Sequence, residues 1–588
     1  MKESRTEEPS FLNTHPSSLL RFFAPLEKTS PYFWLLVACS VFALAPLTAP
    51  GYFSMAHDAR HSVYFLQMFD QSMRDGAWYP RWATDMTFGY GYPLWLILAP
   101  IPFFVGEAFH LVGFDFVSAV KLVDGLAIFF SAVTMYLFAS RVLGKHAGLV
   151  AAVAYVYLPY HLVDLYVRAA QAELVAYVFP PLVFWAFHEL AETRHARYLP
   201  IAALAYAGLL LTHIQTAVLF TPIIGLYLIY LLYTSHSTHH ALRFTLHASL
   251  SIALALGIAA IFLLPVALEQ RYLTAEPLIG GFFSYRSHFL NANQLLSPFW
   301  GYGYAGENGT DQFSLQLGLI PILLAFIALF AFAQTRGAIR AHIAFFTAIT
   351  IGIVFLMLPV SRPLWDLFAP VVAYVQFPWR LLIITAFALA FLAGAALHAL
   401  PASRDARGLA PVLAIVLLFI TANYPYTEPQ HTEAVFNYQA QMEFEVKDRE
   451  LLGDTIWMTG ARPQDSPLVA QYISGQTLQK AIPLDAGASV APLRHGGQSD
   501  EVRVVAGAPT HVMFYTRYFP GWTATIDNQP ATLEPYGDQG LILVRVPAGS
   551  HEVRIRFEDT PPRQIGAIVS AASLALALIL LIRFRNER

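Results

Sequence analysis

The stretch YFWLLVACSVFALAPLTAPGYFSMAHDARH, residues 32–61, changes from an apolar run into a polar loop. The run at 32–50 holds no charged residue and is long enough to cross a bilayer as a helix. The loop that follows places one acid, Asp58, between His57 and His61. We therefore expect a membrane span followed directly by one wall of a functional site.

The composition indicates a membrane protein along the whole chain. Of its 588 residues, 56% are hydrophobic and only 13% are charged, against about 25% charged in ordinary soluble domains. The net charge is -3 and the basic residues form no long run, which argues against nucleic acid as a partner. Cys39 is the only cysteine, so neither an intramolecular disulfide nor a cysteine-based metal site can form.

Apolar runs of the length that a bilayer requires recur through the sequence. They lie at about 32–50, 117–139, 146–160, 172–190, 198–212, 214–233, 241–265, 313–333, 341–360, 380–400, 409–423 and 564–582. The fold class predicted from these runs is a polytopic α-helical membrane protein with about 12 spans.

A further apolar stretch, 93–113, contains Pro93, Glu107 and His110, which disfavour a spanning helix. If it lies in the membrane interface, the short basic connections all fall on one side, as the positive-inside rule requires. Those connections contain Arg21, Lys28, Arg141, Lys145, Arg194, Arg197, Arg243, Arg336, Arg340, Arg404, Arg407, Arg583, Arg585 and Arg588. We therefore expect a cytoplasmic polar leader at 1–31, with the first span as an uncleaved anchor. Segment 563–588 is expected to hold the last span and a basic cytoplasmic tail.

This topology gathers the unusual polar segments on the outer face of the plasma membrane. Within the spanning module 32–423 they are the outer loops 51–116, 161–171, 266–312 and 361–380. The region 424–562 is polar enough to form a folded extracytoplasmic domain. We expect its chemistry, and that of the loops, to lie outside the cell.

The second half of region 424–562 alternates in the manner of β-strands. The alternating segments are 501–505, 511–515, 522–526, 541–546 and 552–557, with turn residues at 520–521, 527–528 and 547–549. The pattern predicts a small domain resembling a β-sandwich, followed by the terminal span. It assigns no structure to residues 424–500.

Asp58 stands directly before a helical pattern that ends near Gly76, so a helix N-cap is its ordinary interpretation. The second interpretation is a catalytic acid. His57 and His61 are four residues apart and, with Asp58, make a candidate metal site; near a membrane such residues are more often simply polar. Aromatic rings follow that fit either an interface belt or stacking on sugars. They are Trp78, Tyr79, Trp82, Tyr90 and Tyr92.

The outer segment 161–171 leads into a second group of charged residues. Arg168 lies four residues after Asp164, so an ion pair along one helix is the ordinary interpretation. The functional interpretation is an arginine that binds phosphate, with Glu173 or Asp164 positioning it or an acceptor hydroxyl. Lys121 opens the preceding span from the same side.

Other outer segments supply further candidates. His213 lies in a tight turn between two spans, and Glu269 lies at the outer end of a helix. Trp300 belongs to a loop rich in glycine and aromatic residues, a composition typical of compact binding loops. Arg380 begins a span at the outer face, where an arginine usually extends to lipid head groups.

Some motifs are missing from the sequence. It holds no phosphate-binding loop of the Walker type and no dinucleotide fingerprint. The middles of the spans are nearly free of ionisable residues, and no inverted repeat is evident, which argues against an ion-coupled transporter. An enzyme that receives a preactivated, lipid-borne substrate fits both observations.

The order of these landmarks resembles the GT-C superfamily of membrane glycosyltransferases. In particular, it resembles the YfhO-like branch and the group labelled membrane proteins "6-pyruvoyl-tetrahydropterin synthase-related". The residues that carry the resemblance are His57-Asp58, Gly91-Tyr92-Pro93-Leu94, Tyr166-Val167-Arg168-Ala169, Glu173, Thr212-His213, 294–300, Phe377-Pro378-Trp379-Arg380, Phe519-Pro520-Gly521-Trp522 and Val546-Pro547-Ala548-Gly549.

The resemblance implies transfer of a sugar from a polyprenyl-phosphate carrier to a glycan, lipid or protein acceptor. It maps the acid of the first outer loop onto Asp58, with Glu173 and Asp164 as candidates for a second acid. A carboxylate would take the acceptor proton and cations would stabilise the departing phosphate. The candidate phosphate and substrate partners are Arg168, Arg380, Lys121, His57, His61, His213, Trp300 and Glu269. Inversion at the anomeric carbon is expected, and a divalent metal ion is left open as a cofactor.

Two other classes of function remain open from the sequence. One is a flippase or assembly factor that handles lipid-linked glycan without turnover. The other is a membrane protein that binds glycan through region 424–562. Replacement of Asp58 by Asn discriminates, because only an enzyme should lose transfer while it still binds the carrier.

Overall fold

The computed structural model describes residues 30–234, 238–274, 279–400, 409–432, 434–448 and 454–584. Nearly all of the leader and the basic residues Arg404, Arg407, Arg585 and Arg588 lie outside the described residues. The orientation of the protein in the membrane therefore stays a prediction.

Most of the described chain up to residue 423 is helical. The helices are α1 Ser30–Leu44, α2 Ala59–Arg74, α3 Ile101–Leu111, α4 Phe116–Leu143, α5 Lys145–Tyr157, α6 Pro159–Val163, α7 Gln171–Ala176, α8 Phe179–Thr193, α9 Tyr198–Leu210, α10 Ile214–Tyr233, α11 Thr238–Ile258, α12 Ala260–Glu269, α13 Ala292–Leu296, α14 Leu319–Gln334, α15 Gly337–Met357, α16 Arg362–Leu367, α17 Ala369–Val372, α18 Leu382–Ala395, α19 Leu409–Asn423, α20 Tyr438–Asp448, α21 Val469–Ser474 and α22 Pro561–Arg583.

Each of the twelve predicted apolar runs contains a helix, but not every helix is long enough to cross a membrane. Among the described residues, nine helical segments pass on length and composition, and the pair α5 and Pro159–Arg168, bent by 43°, makes a tenth candidate. Helices α9 and α14 have only 13 and 16 residues, whereas a bilayer needs about 20. The predicted count of twelve is therefore reduced to nine or ten by length.

The stretch 93–113 contains α3, which has 11 residues and is too short to span. Its Phe103 ring stacks on Phe69 of α2 with centroids 5.8 Å apart. Helix α3 thus packs on the first helix of the outer loop, as the interpretation of a non-spanning segment requires.

The described residues contain eleven β-strands, which lie mainly in the C-terminal region. They are β1 Leu273–Thr274, β2 Asp454–Thr455, β3 Ala481–Pro483, β4 Ala488–His495, β5 Ser499–Ala506, β6 Thr510–Arg517, β7 Trp522–Ile526, β8 Gln529–Ala531, β9 Leu533–Tyr536, β10 Leu541–Val546 and β11 Gly549–Phe557. The five strands predicted from alternation are all confirmed.

Strands β3 to β11 form two antiparallel sheets that share one apolar core. The sheet orders are β3-β6-β10-β9 and β4-β5-β11-β7-β8. The inward-facing side chains are fully buried, as shown by Val504, Phe514, Val544 and Ile555. This burial of one face of each strand explains the alternation in the sequence. We call residues 481–557 the β-domain.

Residues 424–500, which the sequence left unassigned, connect the β-domain to the outer loops. They contain α20, α21, β2, β3, β4 and the start of β5. Strand β2 pairs antiparallel with β1, so Thr455 lies opposite Leu273 of the outer loop 266–312.

The first outer loop contributes to the core of the β-domain. The Trp82 side chain is fully buried and lies 5.3 Å from the ring of Trp522 and 5.1 Å from that of Phe557. The backbone N–H of Arg517 donates to the carbonyl of Tyr90 at 2.9 Å. Segment 77–92 and the β-domain therefore form one packed unit.

This packing shows where most of the aromatic rings of the first outer loop lie. Trp82, Tyr90 and Tyr92 are buried, as is Tyr79. They belong neither to an exposed interface belt nor to a sugar-stacking surface, because their faces are covered by protein. Trp78 differs, since 60% of it is exposed.

A buried polar network also joins the loop to the β-domain. The Nδ1 of His495 bonds to Asp500 Oδ1 at 2.6 Å, and its Nε2 bonds to Asp85 Oδ1 at 3.2 Å. Burial alone would lower the pKa of His495, but the carboxylates of Asp500 and Asp85 outweigh it and raise the pKa to about 9. A charged imidazole thus bridges the two elements.

Candidate active site

The end of the bent pair α5 and Pro159–Arg168 has an irregular backbone. Residues Asp164–Arg168 form a π-helical turn, and Ala169 has a left-handed backbone with φ 48°. Turns of this type widen a helix and are frequent at functional sites. Here the turn ends the helix and precedes α7, which carries Glu173.

Arg168 is the centre of a buried ion cluster. Its Nη1 donates to Asp164 Oδ1, to Glu173 Oε2 at 2.9 Å and to the Tyr160 hydroxyl at 3.0 Å. The Tyr160 hydroxyl donates to Glu173 Oε1 at 3.0 Å. Arg168, Asp164 and Glu173 are 4%, 0% and 3% exposed, respectively. Buried charges of this kind persist only when they are paired and hydrogen-bonded.

The geometry shows the ion-pair interpretation of Arg168, whereas its binding of phosphate stays a prediction. Asp164 does pair with Arg168 along the helix, as the spacing of four predicts. Glu173 adds a second carboxylate from the next helix. The guanidinium is therefore flanked by two acids, so most of its charge is compensated inside the protein.

The motif Phe377-Pro378-Trp379-Arg380 covers this cluster. The guanidinium carbon of Arg168 lies 4.9 Å from the centroid of the Trp379 ring, a distance typical of a cation–π contact. Arg380 Nη1 donates to Gln376 Oε1 at 2.8 Å and to the carbonyl of Val375 at 3.3 Å. Within the described part of the chain, Arg380 makes no ion pair of 4 Å or less with a carboxylate, although it interacts electrostatically with Glu173.

The loop after α1 is hydrogen-bonded to the π-helical turn. The backbone N–H of Asp58 donates to the carbonyl of Arg168 at 2.7 Å, and that of His57 donates to the carbonyl of Val167 at 3.1 Å. The structure thus brings Asp58, Arg168, Glu173 and Asp164 together at one end of the helical bundle.

The carboxylate of Asp58 is exposed. Asp58 occupies the N-cap position of α2, as predicted, but its side chain makes no capping hydrogen bond. Its backbone angles, φ -106° and ψ 8°, differ from the extended conformation usual at an N-cap. Among the residues that the structure describes, no hydrogen bond engages the Asp58 carboxylate.

His57 lies against the glycine-rich loop that contains Trp300. Its Nε2 bonds to the carbonyl of Gly303 at 2.9 Å, and its ring stacks on Tyr304 with centroids 4.8 Å apart. Burial lowers the pKa of His57, and the neighbouring Asp58 carboxylate offsets this effect only in part. The His57 ring therefore holds the glycine-rich loop beside Asp58.

His213 lies at the same end of the bundle. It precedes α10, and its Nδ1 bonds to the Thr216 hydroxyl at 2.7 Å. Glu173 and Arg380 are among its electrostatic neighbours. The structure therefore places His213 beside the ion cluster.

Two other predicted residues, Lys121 and Trp300, contact parts of the protein outside the ion cluster. Lys121 donates to the carbonyls of Ala49 and Gly51 at 2.6 and 2.7 Å, which fixes the chain after α1. The Trp300 ring stacks on Tyr426 at 4.7 Å. The contacts made by these two side chains are structural ones.

Glu269 and His61 likewise contact other elements. Glu269 forms a buried ion pair with Arg563 of α22, with Oε2 2.9 Å from Nη2. His61 borders a small cavity together with Phe65 and Phe444. The structure therefore does not bring these two predicted substrate residues into the ion cluster.

The candidate metal site is not formed. In the described ranges, no group of three or more His, Cys, Asp or Glu side chains is arranged to hold a metal ion. His57 faces Gly303, Asp58 is exposed and His61 faces Phe444. The residues of the sequence prediction therefore do not fit a shared metal.

Sequence reasoning missed two residues of the cluster, Tyr160 and Trp379. A signal for Tyr160 exists, because positions 160, 164 and 168 repeat at the spacing of one helix face. Trp379 lies inside a quoted motif, but no pattern in the sequence pairs it with Arg168.

The helices and the ion cluster define a polytopic membrane protein with an extramembrane β-domain and a polar site at one end of its bundle. No family model matches the chain. An uncharacterised protein of Lactococcus lactis subsp. cremoris (strain MG1363) is 23% identical over 316 residues, which are 53% of this chain and 51% of that protein. The chain thus spans about half the length of this curated relative.

Solved structures of the arabinofuranosyltransferase AftD from Mycobacteria show a low similarity to this chain. One covers 75% of this chain and 31% of its own, with 18% identity and a TM-score of 0.42. A mutant of AftD covers 71% and 30%, with 16% identity and a TM-score of 0.44. None of these comparisons supports the YfhO-like branch or the label related to pterin synthase.

Proposed function

We propose that this protein is an integral membrane glycosyltransferase. It moves a sugar from a polyprenyl-phosphate carrier to an acceptor at the outer face of the membrane, with inversion at the anomeric carbon. The observation that carries the proposal is the contact of the Asp58 loop with Arg168. This backbone contact joins the loop that carries the exposed Asp58 side chain to the turn that carries the buried ion cluster.

Asp58 is the proposed general base. As the acceptor oxygen attacks the anomeric carbon, Asp58 takes the acceptor proton and the bond from that carbon to the phosphate oxygen breaks. A single displacement of this kind inverts the configuration and needs only one free carboxylate. Asp58 suits the role because its side chain is exposed and is not used to cap α2.

Arg380 is the proposed partner of the departing phosphate. Its hydrogen-bond partners, the Gln376 side chain and the Val375 carbonyl, are uncharged, and Glu173 acts on it only at a distance, so its guanidinium is open to an anion. Arg168 is compensated by Asp164 and Glu173, so its proposed role is to fix the backbone that holds Asp58. Lys121 is left out of this role, because its ammonium is bound to two carbonyls.

The test compares Asp58→Asn with the matched substitution Asp538→Asn, at an exposed acid of the β-domain. Lipid-linked sugars and surface polymers are analysed by mass spectrometry in cells that carry each variant, and bound carrier lipid is measured on the purified proteins. We expect Asp58→Asn to lose transfer, by about 100-fold or more, while it keeps its carrier lipid. Normal transfer by Asp58→Asn contradicts the proposal and favours a protein that handles lipid-linked glycan without turnover.

A further inference from the structure

A cleft of about 200 Å³ lies away from the ion cluster, beside the start of α22. One wall is segment 76–81 of the first outer loop, and the other is the end of β11 with the residues that follow it. Because Pro561–Arg583 is a candidate membrane span, this cleft lies at a membrane boundary.

Arg81 is a buried cation at the base of this cleft. It is 3% exposed, and its guanidinium lies over the Tyr79 ring at 4.1 Å. Its Nε donates to Asp559 Oδ1 at 3.3 Å and its Nη2 to the carbonyl of Ile261 at 3.1 Å. Among the described residues, its Nη1 has no hydrogen-bond partner. A buried guanidinium N–H without a partner is costly, which points to a ligand acceptor.

The cleft carries charges of both signs. Arg556 lines it, and its Nη2 donates to the carbonyl of Asp75 at 3.4 Å and to the side-chain oxygen of Gln498 at 3.2 Å. Among the described residues, no carboxylate lies within 4 Å of its guanidinium nitrogens. Glu558 also lines it and is exposed. With Arg81 and Asp559 already paired, the charges left for a ligand are one cation and one anion.

An exposed indole completes the lining. Trp78 borders the cleft and is 60% exposed, whereas the rings around it are buried. Tryptophan is enriched at membrane interfaces, where its ring lies at the level of the head groups, and its face attracts cations. The ligand chemistry that matches these groups is a phosphate joined by a short linker to an ammonium group.

We propose that this cleft binds the head group of a zwitterionic phospholipid of the phosphoethanolamine class. The phosphate accepts from Arg556 and Arg81, and the ammonium lies between Glu558 and the Trp78 ring. The proposal does not depend on the transferase function, because none of these residues belongs to the ion cluster. Bound lipid would hold segment 76–81 against the start of α22.

The experiment uses the full chain purified in a mild detergent. Phosphatidylethanolamine and phosphatidylglycerol with identical acyl chains are titrated, and bound lipid is counted by native mass spectrometry. We expect the ethanolamine lipid to bind about tenfold more tightly, because only it carries the ammonium. Arg556→Gln and Glu558→Gln should each weaken it by about tenfold, and Arg545→Gln, at an exposed arginine of β10, should not.

Three results overturn the proposal. One is equal or tighter binding of phosphatidylglycerol, which would mean that the ammonium is not recognised. The second is unchanged lipid binding in both cleft variants, provided that their β-domains unfold at the wild-type temperature. The third comes from soluble glycerophosphoethanolamine: if it binds as tightly as the lipid, the ligand is a free metabolite rather than a membrane lipid.

Discussion

The backbone N–H of Asp58 lies 2.7 Å from the carbonyl oxygen of Arg168, to which it donates a hydrogen bond. The two side chains of this pair differ sharply in their surroundings. Asp58 is exposed, whereas Arg168 is buried beneath Trp379 and paired with two carboxylates. The buried ion cluster around Arg168 thus supports the loop that carries the accessible Asp58 carboxylate. The conformation of this loop therefore depends on the ion pairs of Arg168.

Replacement of Arg168 by Gln should therefore destabilise the protein strongly. It leaves Asp164 and Glu173 buried without their cation, a change that costs about 3–5 kcal/mol. Thermal unfolding of the full chain in detergent measures the loss. Arg286→Gln is the matched control, since its pair with Asp366 is 52% and 38% exposed, and exposed pairs contribute less than about 1 kcal/mol. Equal losses of stability in the two variants would show that the buried ion pairs of Arg168 stabilise the fold no more than the exposed pair of Arg286 does.

The sequence predicted the helices well because the bilayer imposes a simple rule on them. Every backbone polar group in lipid must be satisfied, so long apolar runs become helices. The alternation of Glu501 to Val505 and of Leu541 to Val546 predicted strands for a similar reason, since one face of each is buried. The lengths of α9 and α14 escaped prediction, because apolar composition continues beyond the helix ends.

The site was predicted only in part. The positions of Asp58, Arg168 and Glu173 at one end of the bundle follow from the order of the spans. The capping behaviour of Asp58 could not be predicted, because it depends on a hydrogen bond to a residue more than a hundred positions away. Trp82 could not be placed either, since an interface ring and a core ring are alike in sequence.

Trp82→Ala should unfold the β-domain although residue 82 lies far from it in sequence. It removes a fully buried indole from the shared core, which costs about 3–5 kcal/mol. Limited proteolysis and thermal unfolding of the full chain report the effect, and Trp78→Ala is the control because that ring is largely exposed. For the same reason region 424–562 expressed alone should be unstable, and an isolated region as stable as in the full chain would refute the shared core.

Stability should depend on the protonation of His495. Its pKa in the folded protein is about 9, against about 6.5 in the unfolded chain. A raised pKa stabilises the fold fully below about pH 6.5, and this contribution is lost as the pH rises through about 9. The unfolding temperature of the wild type should therefore fall over this window relative to His495→Gln. Parallel curves for the two proteins would show that the imidazole is not charged in the fold.

Glu269→Gln distinguishes a structural role from the substrate-binding role that the sequence suggested. The ion pair of Glu269 with Arg563 is buried, and Arg563 also donates to the carbonyl of Pro520 at 2.8 Å, so one guanidinium ties α12, α22 and the β-domain together. Loss of the carboxylate leaves Arg563 without a charged partner and should cost about 3–5 kcal/mol. Thermal unfolding should reveal this loss, while Glu307→Gln, at an exposed acid of an outer loop, should behave as wild type. If Glu269→Gln instead unfolds normally but fails in transfer, Glu269 contacts substrate and the structural assignment is wrong.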